Sequence, residues 1–292
     1  MILFGSSLFL LYALPSRGAG SGAQLRWVRR ILAWGAGALA FAAGVGLLAQ
    51  TCVLAGSIEE GLKPDSLSAV MTSMALGPSA LVRISTGLIG LIAIAVFRPG
   101  RPLFAFLATL GAIACASFPW MGHGAATEGA GHELHLAADI LHTLAAAVWI
   151  GALVMFLGLL LPRKPDVALD KITQRALHGF AGVGSILVAV LIASGLVNSW
   201  FLIGPSRLQG LWTTPYGELL SLKLILFVVM IGLAGMNRFR LTPALAVALG
   251  DGKSSSAALR ALRGSLLLET TLAFVVLGLV AWLGTLVPVS AQ

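Results

Sequence analysis

Charged side chains are what this sequence most lacks: Asp, Glu, Lys and Arg make up 10% of its 292 residues, against roughly 25% in a soluble domain. That scarcity excludes a soluble globule. No charged residue interrupts residues 31–58, 140–162 or 176–206, and each run exceeds the ~20 residues that carry a helix across ~30 Å of hydrocarbon. Cysteine is nearly absent too. Cys52 and Cys115 lie in apolar runs with no CxxC pair, which excludes a disulfide framework and leaves the redox compartment undefined. No GxxxxGK[ST] phosphate loop occurs, so neither ATP hydrolysis nor any other enzymatic activity is expected. A cleavable signal peptide is not expected either: the apolar stretch Met1 to Leu14 has no basic region before it and no A-x-A site after it.

What is present is 58% hydrophobic residues and 35 glycines against 12 prolines, without a collagen-like or low-complexity period. The glycines are expected at close helix contacts. The net charge of +8 sits in loops beside apolar runs, so the partner of the basic residues is the membrane lipid surface, not nucleic acid. Eight apolar segments are visible, near residues 1–14, 28–51, 78–97, 103–122, 134–161, 177–203, 216–236 and 264–286. The expected fold is all-α: a polytopic integral membrane helical bundle of about eight transmembrane helices, because helices satisfy their own backbone in lipid, forming one domain over residues 1–292. The first segment reaches only about 21 Å. It is expected to tilt into a thin region or to belong to a longer natural helix.

Fifteen of the nineteen Lys and Arg residues fall in the loops after segments 1, 3, 5 and 7; Lys63, Arg83, Arg207 and Lys223 lie on or near the other side. By the positive-inside rule those loops are cytoplasmic and both termini face outward. The outer side collects Glu59, Glu60, Asp65, Glu128, Glu133, Asp139 and Glu218 with His123, His132, His135, Met71, Met74 and Met121. Metal chemistry is expected to begin there.

The fifth segment carries His132, His135, Asp139 and His142, with Trp149 further along. At about 100° per residue the first four share an arc of roughly 80° and extend about 15 Å along the axis. They cannot surround one ion, so adjacent pairs completed by another helix are expected. Asp139 and His142 lie roughly 7 to 12 Å below the boundary, where an ionisable group is costly unless it meets a partner or cavity. They are read either as a ligand or proton-relay pair, the carboxylate orienting the imidazole, or as a hydrogen bond that fixes packing. Met71 with Met74 would share a face if their loop is helical, and Met121 and His123 end the fourth segment. Thioethers select Cu(I), while imidazole with carboxylate suits Cu(II) or Zn. The mixture favours copper, and Cys52 and Cys115 are reserve ligands or inert thiols.

Three stretches resemble the CopD family of bacterial inner-membrane copper resistance and uptake proteins: Asp139 to Gly151 (DILHTLAAAVWIG), Ser194 to Trp200 (SGLVNSW), and Leu211 to Leu224 (LWTTPYGELLSLKL) followed by Asn237-Arg238. The match is strongest over residues 134–245. The resemblance implies copper movement from periplasm to cytoplasm across the bacterial inner membrane, alongside a periplasmic copper-binding protein of the CopC type. No soluble domain of that type is expected within this chain. Lys223 stands at the family's lysine and is read as snorkelling outward or pairing with Glu218. The leading expectation is a copper permease in which His123, His132, His135 and the methionines collect the ion and Asp139 with His142 receives it. Glu269 and His178 are candidate inner exits or interfacial salt-bridge partners. Two alternatives stay open: an electron carrier holding haem between histidines, and a copper receptor or assembly factor that does not transport.

Overall fold

The computed structural model describes residues 1–13, 22–122, 129, 131–161, 166–204, 207–251 and 255–291. Helices α1 (Ile2–Ala13) and α2 (Gly22–Ala55) are followed by two short ones, α3 (Ile58–Gly61) and α4 (Pro64–Ser73), and then by α5 (Leu76–Val96) and α6 (Arg101–Ala116). A 3-10 turn, Pro119–Met121, precedes α7 (His132–Leu159) and α8 (Val167–Ile203). The chain continues through α9 (Gly210–Thr213), α10 (Pro215–Met236), a π-helical turn (Asn237–Leu241), α11 (Thr242–Gly250) and α12 (Ser256–Leu283). Among the described residues, seven helices are long and apolar enough to cross a membrane, with the 12-residue α1 as a shorter apolar helix beside them. The all-α membrane bundle follows directly from the long uncharged runs.

Two stretches differ from the expected segments. Residues read as a loop after α2 form α3 and α4; Ser57 caps α3 by accepting from the Glu60 amide, and Pro64 opens α4, the first-turn position where a missing N–H costs nothing. The seventh segment does not stop at residue 236. Arg238, Arg240 and Pro243 read as loop residues, yet the π turn shifts the backbone register and Pro243 falls in the first turn of α11.

Helix α1 lies inside the bundle against α6 and α7, with Leu3, Phe9 and Leu10 buried. Its 12 residues cover only ~18 Å, and its neighbours shield it. Close approach is possible because small residues meet: a methyl group on Gly5 or Gly151 would run into the other's backbone, and one on Gly111 would run into that of Phe4. The Ser6 hydroxyl donates to the Gly151 carbonyl at 3.3 Å. The same device joins α5 to α2, where Gly87 abuts Ala36 and Ala40. Glycine at such contacts trades side-chain volume for backbone packing. Helix α7 is the hub: Ala145, Trp149, Ala152, Leu153 and Phe156 join one apolar cluster running from Leu3 to Ala273.

Replacing Gly151 by alanine therefore pushes α1 off α7. Gly151→Ala is expected to lower the melting temperature in mild detergent by the equivalent of roughly 1–3 kcal/mol, the usual cost of overpacking. Gly179→Ala, where an added carbon meets nothing within 4 Å, should show no such loss.

Candidate functional site

Asp139 and His142 stand less than one turn apart on α7, facing α8, which runs antiparallel to it. Ser194 and Asn198 stand one turn apart on α8 and meet them in register. His142 Nδ1 lies 3.0 Å from Ser194 Oγ, and Asn198 Nδ2 donates to Asp139 Oδ1 at 3.3 Å. The Ser194 hydroxyl gives its own proton to the Val190 carbonyl at 2.6 Å. Its oxygen is left to accept, so Nδ1 carries the imidazole proton and Nε2 keeps the lone pair. A carbon added to Gly195 would sit 3.6 Å from His142 Cε1, so the absence of a side chain there gives the ring its room.

Helix α10 supplies the third wall. Lys223 interacts electrostatically with Asp139 and with His142, and Tyr216 with Asp139. Lys223 is partly buried, and its charged partner is Asp139 on α7. The Asp139 carboxylate and the Lys223 ammonium offset each other's cost within the bundle. The Thr213–Gly217 run places this wall. Thr214 caps α10 by accepting from the Gly217 amide at 3.1 Å, Pro215 fills the first turn, and Gly217 allows contact with the backbone of Gly210 and Leu211.

Above Asp139 comes the turn after α6. A carbon on Gly122 would lie 4.0 Å from Asp139 Oδ2. Met121, just before it, has its sulfur against the guanidinium of Arg83, a buried residue of α5 that also donates to the Ser79 carbonyl at 3.1 Å and lies 4.7 Å over the Phe118 ring. Gly122 thus approaches Asp139, while the Met121 sulfur is turned to Arg83.

The remaining expected donors are more scattered. His135 is 2% exposed and stacks on Phe201 with ring centroids 4.7 Å apart; His132 opens α7 and is partly buried. His123 lies outside the described residues. Met71 belongs to α4, but the helix ends at Ser73 and Met74 turns to extended backbone. The two thioethers therefore do not form the helical pair expected of them. Cys115 is fully buried, and Cys52 packs against Gly61 with its thiol 3.8 Å from the Ile58 carbonyl. Among the described residues no group of three or more His, Cys, Asp or Glu is gathered closely enough to hold a metal ion.

A second polar cluster lies farther along α7. Glu269 of α12 is 1% exposed; its Oε1 accepts from Trp149 Nε1 at 2.8 Å and its Oε2 from Asn237 Nδ2 at 2.9 Å. This corrects the expectation of an interfacial salt bridge: Glu269 is a deeply buried carboxylate held by neutral donors. His178 is exposed on α8.

Comparison with known proteins bears on both clusters. Residues 1–133 match the family described as "Copper resistance protein D-like, N-terminal domain", and residues 174–283 match "Copper resistance protein D". The protein named Copper resistance protein D from Pseudomonas syringae pv. tomato is 38% identical over 293 residues, covering 99% of this chain and 93% of its own length. The chain belongs to the CopD family. A second relative, Inner membrane protein YebZ of Escherichia coli strain K12, is 33% identical over 124 residues, covering 42% of this chain and 41% of its own. No solved structure matches.

The stretches quoted for the CopD resemblance meet in space. Asp139, His142, Ser194, Asn198 and Lys223 share the first cluster, while Trp149 and Asn237 share the second. Arg83, Ser194, Asn198 and Tyr216 were not singled out from sequence as site residues. Arg83 was detectable as a charge inside an apolar run, and the other three as polar residues at helical spacing.

Removing one neutral hydrogen bond costs about 0.5–1.5 kcal/mol. Ser194→Ala should therefore lower the melting temperature slightly while His142 reacts faster with diethyl pyrocarbonate, as read by mass spectrometry. An unchanged rate would contradict the Ser194 contact.

Proposed function

We propose that this CopD-family protein carries copper across the bacterial inner membrane, from the periplasm toward the cytoplasm. The observation that carries this reading is the Asp139–His142 pair, held within the bundle by α8 and α10 with an imidazole lone pair left over. The inner-membrane placement draws on the apolar helices and on the relatives' names. The distribution of basic residues supports periplasmic termini, which puts the His132 end of α7 outside. His132, Met71, Met74 and Met121, with His123 from outside the described residues, are then the proposed collecting donors on that side, where a periplasmic CopC-type protein would deliver the ion, while His135 is buried against Phe201.

Asp139 and His142 receive the ion below the surface. His142 Nε2 and the second oxygen of Asp139 are a borderline donor pair suited to Cu(II), and the Met121 thioether favours Cu(I). The ammonium of Lys223 competes with any cation for Asp139. Such competition weakens the station, and passage needs binding strong enough to replace water yet weak enough for release. A relay of such weak stations would let the ion pass on, whereas a receptor would hold it.

The test is copper flux into proteoliposomes together with copper per protein by elemental analysis. His142→Ala and Asp139→Asn are expected to abolish flux at equal reconstitution. Asn198→Ala, which removes only an orienting donor, should cost on the order of 10- to 100-fold in copper affinity. Lys223→Gln should raise the copper retained while slowing flux. Parental flux in both His142→Ala and Asp139→Asn would sink the reading, and an intense Soret absorbance in the purified protein would promote the haem alternative.

A further inference from the structure

Between α7, α8, α10, the π turn, α11 and α12 lies a cavity of about 330 Å³, the size range of small-ligand sites. Leu153, Phe156, Phe180, Val188 and Ile231 give it mostly apolar walls. Glu269 is at its buried side, with both carboxylate oxygens already accepting hydrogen bonds. A water held there needs about 2–4 polar partners, more than these walls offer. The opening is lateral. Among the described residues the backbones of α8 and α10 barely approach each other, and the exposed residues of the lining are Ser185 of α8 with Arg238 and Phe239 of the π turn.

Arg238 spans this opening. Its Nη1 donates to the Ala181 carbonyl at 3.0 Å and to the Ser185 hydroxyl, which ties the guanidinium to α8, and the group lies 5.1 Å over the Phe239 ring. Both partners are neutral, and among the described residues no carboxylate pairs with it. With the Nη1 hydrogens directed at α8, the Nε–Nη2 edge keeps the two parallel N–H groups that match a pair of phosphate oxygens. The Glu269 carboxylate is turned to Trp149 and Asn237 at the buried wall, so the charge that faces the membrane at the rim is positive. The same end of the bundle is basic as a whole: Lys171, Arg175, Arg240, Arg260 and Arg263 outnumber Asp166, Asp170 and Asp251 there.

We infer that an anionic phospholipid binds here, one acyl chain entering between α8 and α10 and its phosphate meeting the Nε–Nη2 edge of Arg238. An apolar slot with a guanidinium at its mouth has the polarity of that amphiphile, and basic pockets between membrane helices hold anionic headgroups. Donor chemistry decides against copper, because no His, Met or Cys is among the residues lining the cavity and soft or borderline ions need such ligands. A soluble anion would use the arginine and leave the apolar walls unfilled. The bound lipid would join α8 to the π turn across a gap that their own backbones do not close. This inference goes beyond the copper reading and does not rest on it.

Trp149 lines the cavity and reports on an entering chain. The full-length protein, free of copper, is placed in phosphatidylcholine nanodiscs that carry a small, varied fraction of phosphatidylglycerol brominated on its acyl chains. The chain has seven tryptophans, so the signal is the quenching in the parent minus that in Trp149→Phe. Saturable quenching is expected from brominated phosphatidylglycerol and not from the same fraction of brominated phosphatidylcholine. Arg238→Gln should shift the midpoint by about tenfold or more, the usual loss for a hydrogen bond to a charged group. Arg238→Lys, which keeps the charge without the fork, should fall between, and Arg240→Gln, which does not line the cavity, should leave the midpoint unchanged. Equal quenching by the two lipids, no quenching in the parent, or an unshifted midpoint in monodisperse Arg238→Gln and Arg238→Lys overturns the inference. Displacement of the lipid by glycerol phosphate alone would assign the arginine to a soluble phosphate and overturns it as well. Because copper is absent, either result leaves the copper flux test independent.

Discussion

Hydrocarbon offers no hydrogen bonds, so every polar side chain within this bundle must find its partner in the protein or keep a cost unrelieved. That constraint organises the chain around α7. Gly151 lets α1 approach on one side, while Asp139, His142 and Trp149 face polar groups of α8, α10 and α12 on others. The helix at the hub of the packing is also the one that contributes to both polar clusters. Rigid packing is what allows partners on α8 and α12 to be met within hydrogen-bond distance.

The two clusters solve the same solvation problem with different chemistry. At the first, an imidazole and a carboxylate are balanced by the Lys223 ammonium and oriented by Ser194 and Asn198. At the second, a carboxylate is held by two neutral donors, and the guanidinium nearby is engaged elsewhere. Donor type separates them: imidazole nitrogen with carboxylate oxygen at one, carboxylate and amide oxygen at the other.

The membrane bundle was legible because an uncharged run of about 20 residues has few other physical uses. Helices α3 and α4 were not, since ten residues with Pro64, Asp65 and Ser66 look like a loop unless their packing is known. The continuation into α11 was hidden for a related reason: a π turn has no sequence period, and Arg238, Arg240 and Pro243 each read as a break. Asp139 and His142 were legible as expensive groups at depth. Their partners were not, because the register between α7 and α8 is set by packing that no single helix contains. Glu269 shows the limit most clearly. Its depth was readable from Arg263, six residues earlier, but its partners come from segments 120 and 32 residues away.

Register then explains why polar residues recur at those spacings. On antiparallel helices a pair at 139 and 142 can meet a pair at 198 and 194 only if both spacings are close to one turn. Sliding either helix by one residue rotates the side chains by about 100°, which would turn Ser194 and Asn198 into lipid and leave both members of the α7 pair unsatisfied. Slippage is therefore opposed by the polar contacts as well as by the packed glycines. The same contacts that hold His142 in one tautomer also hold α7 and α8 in one register, so the site and the helix interface specify each other.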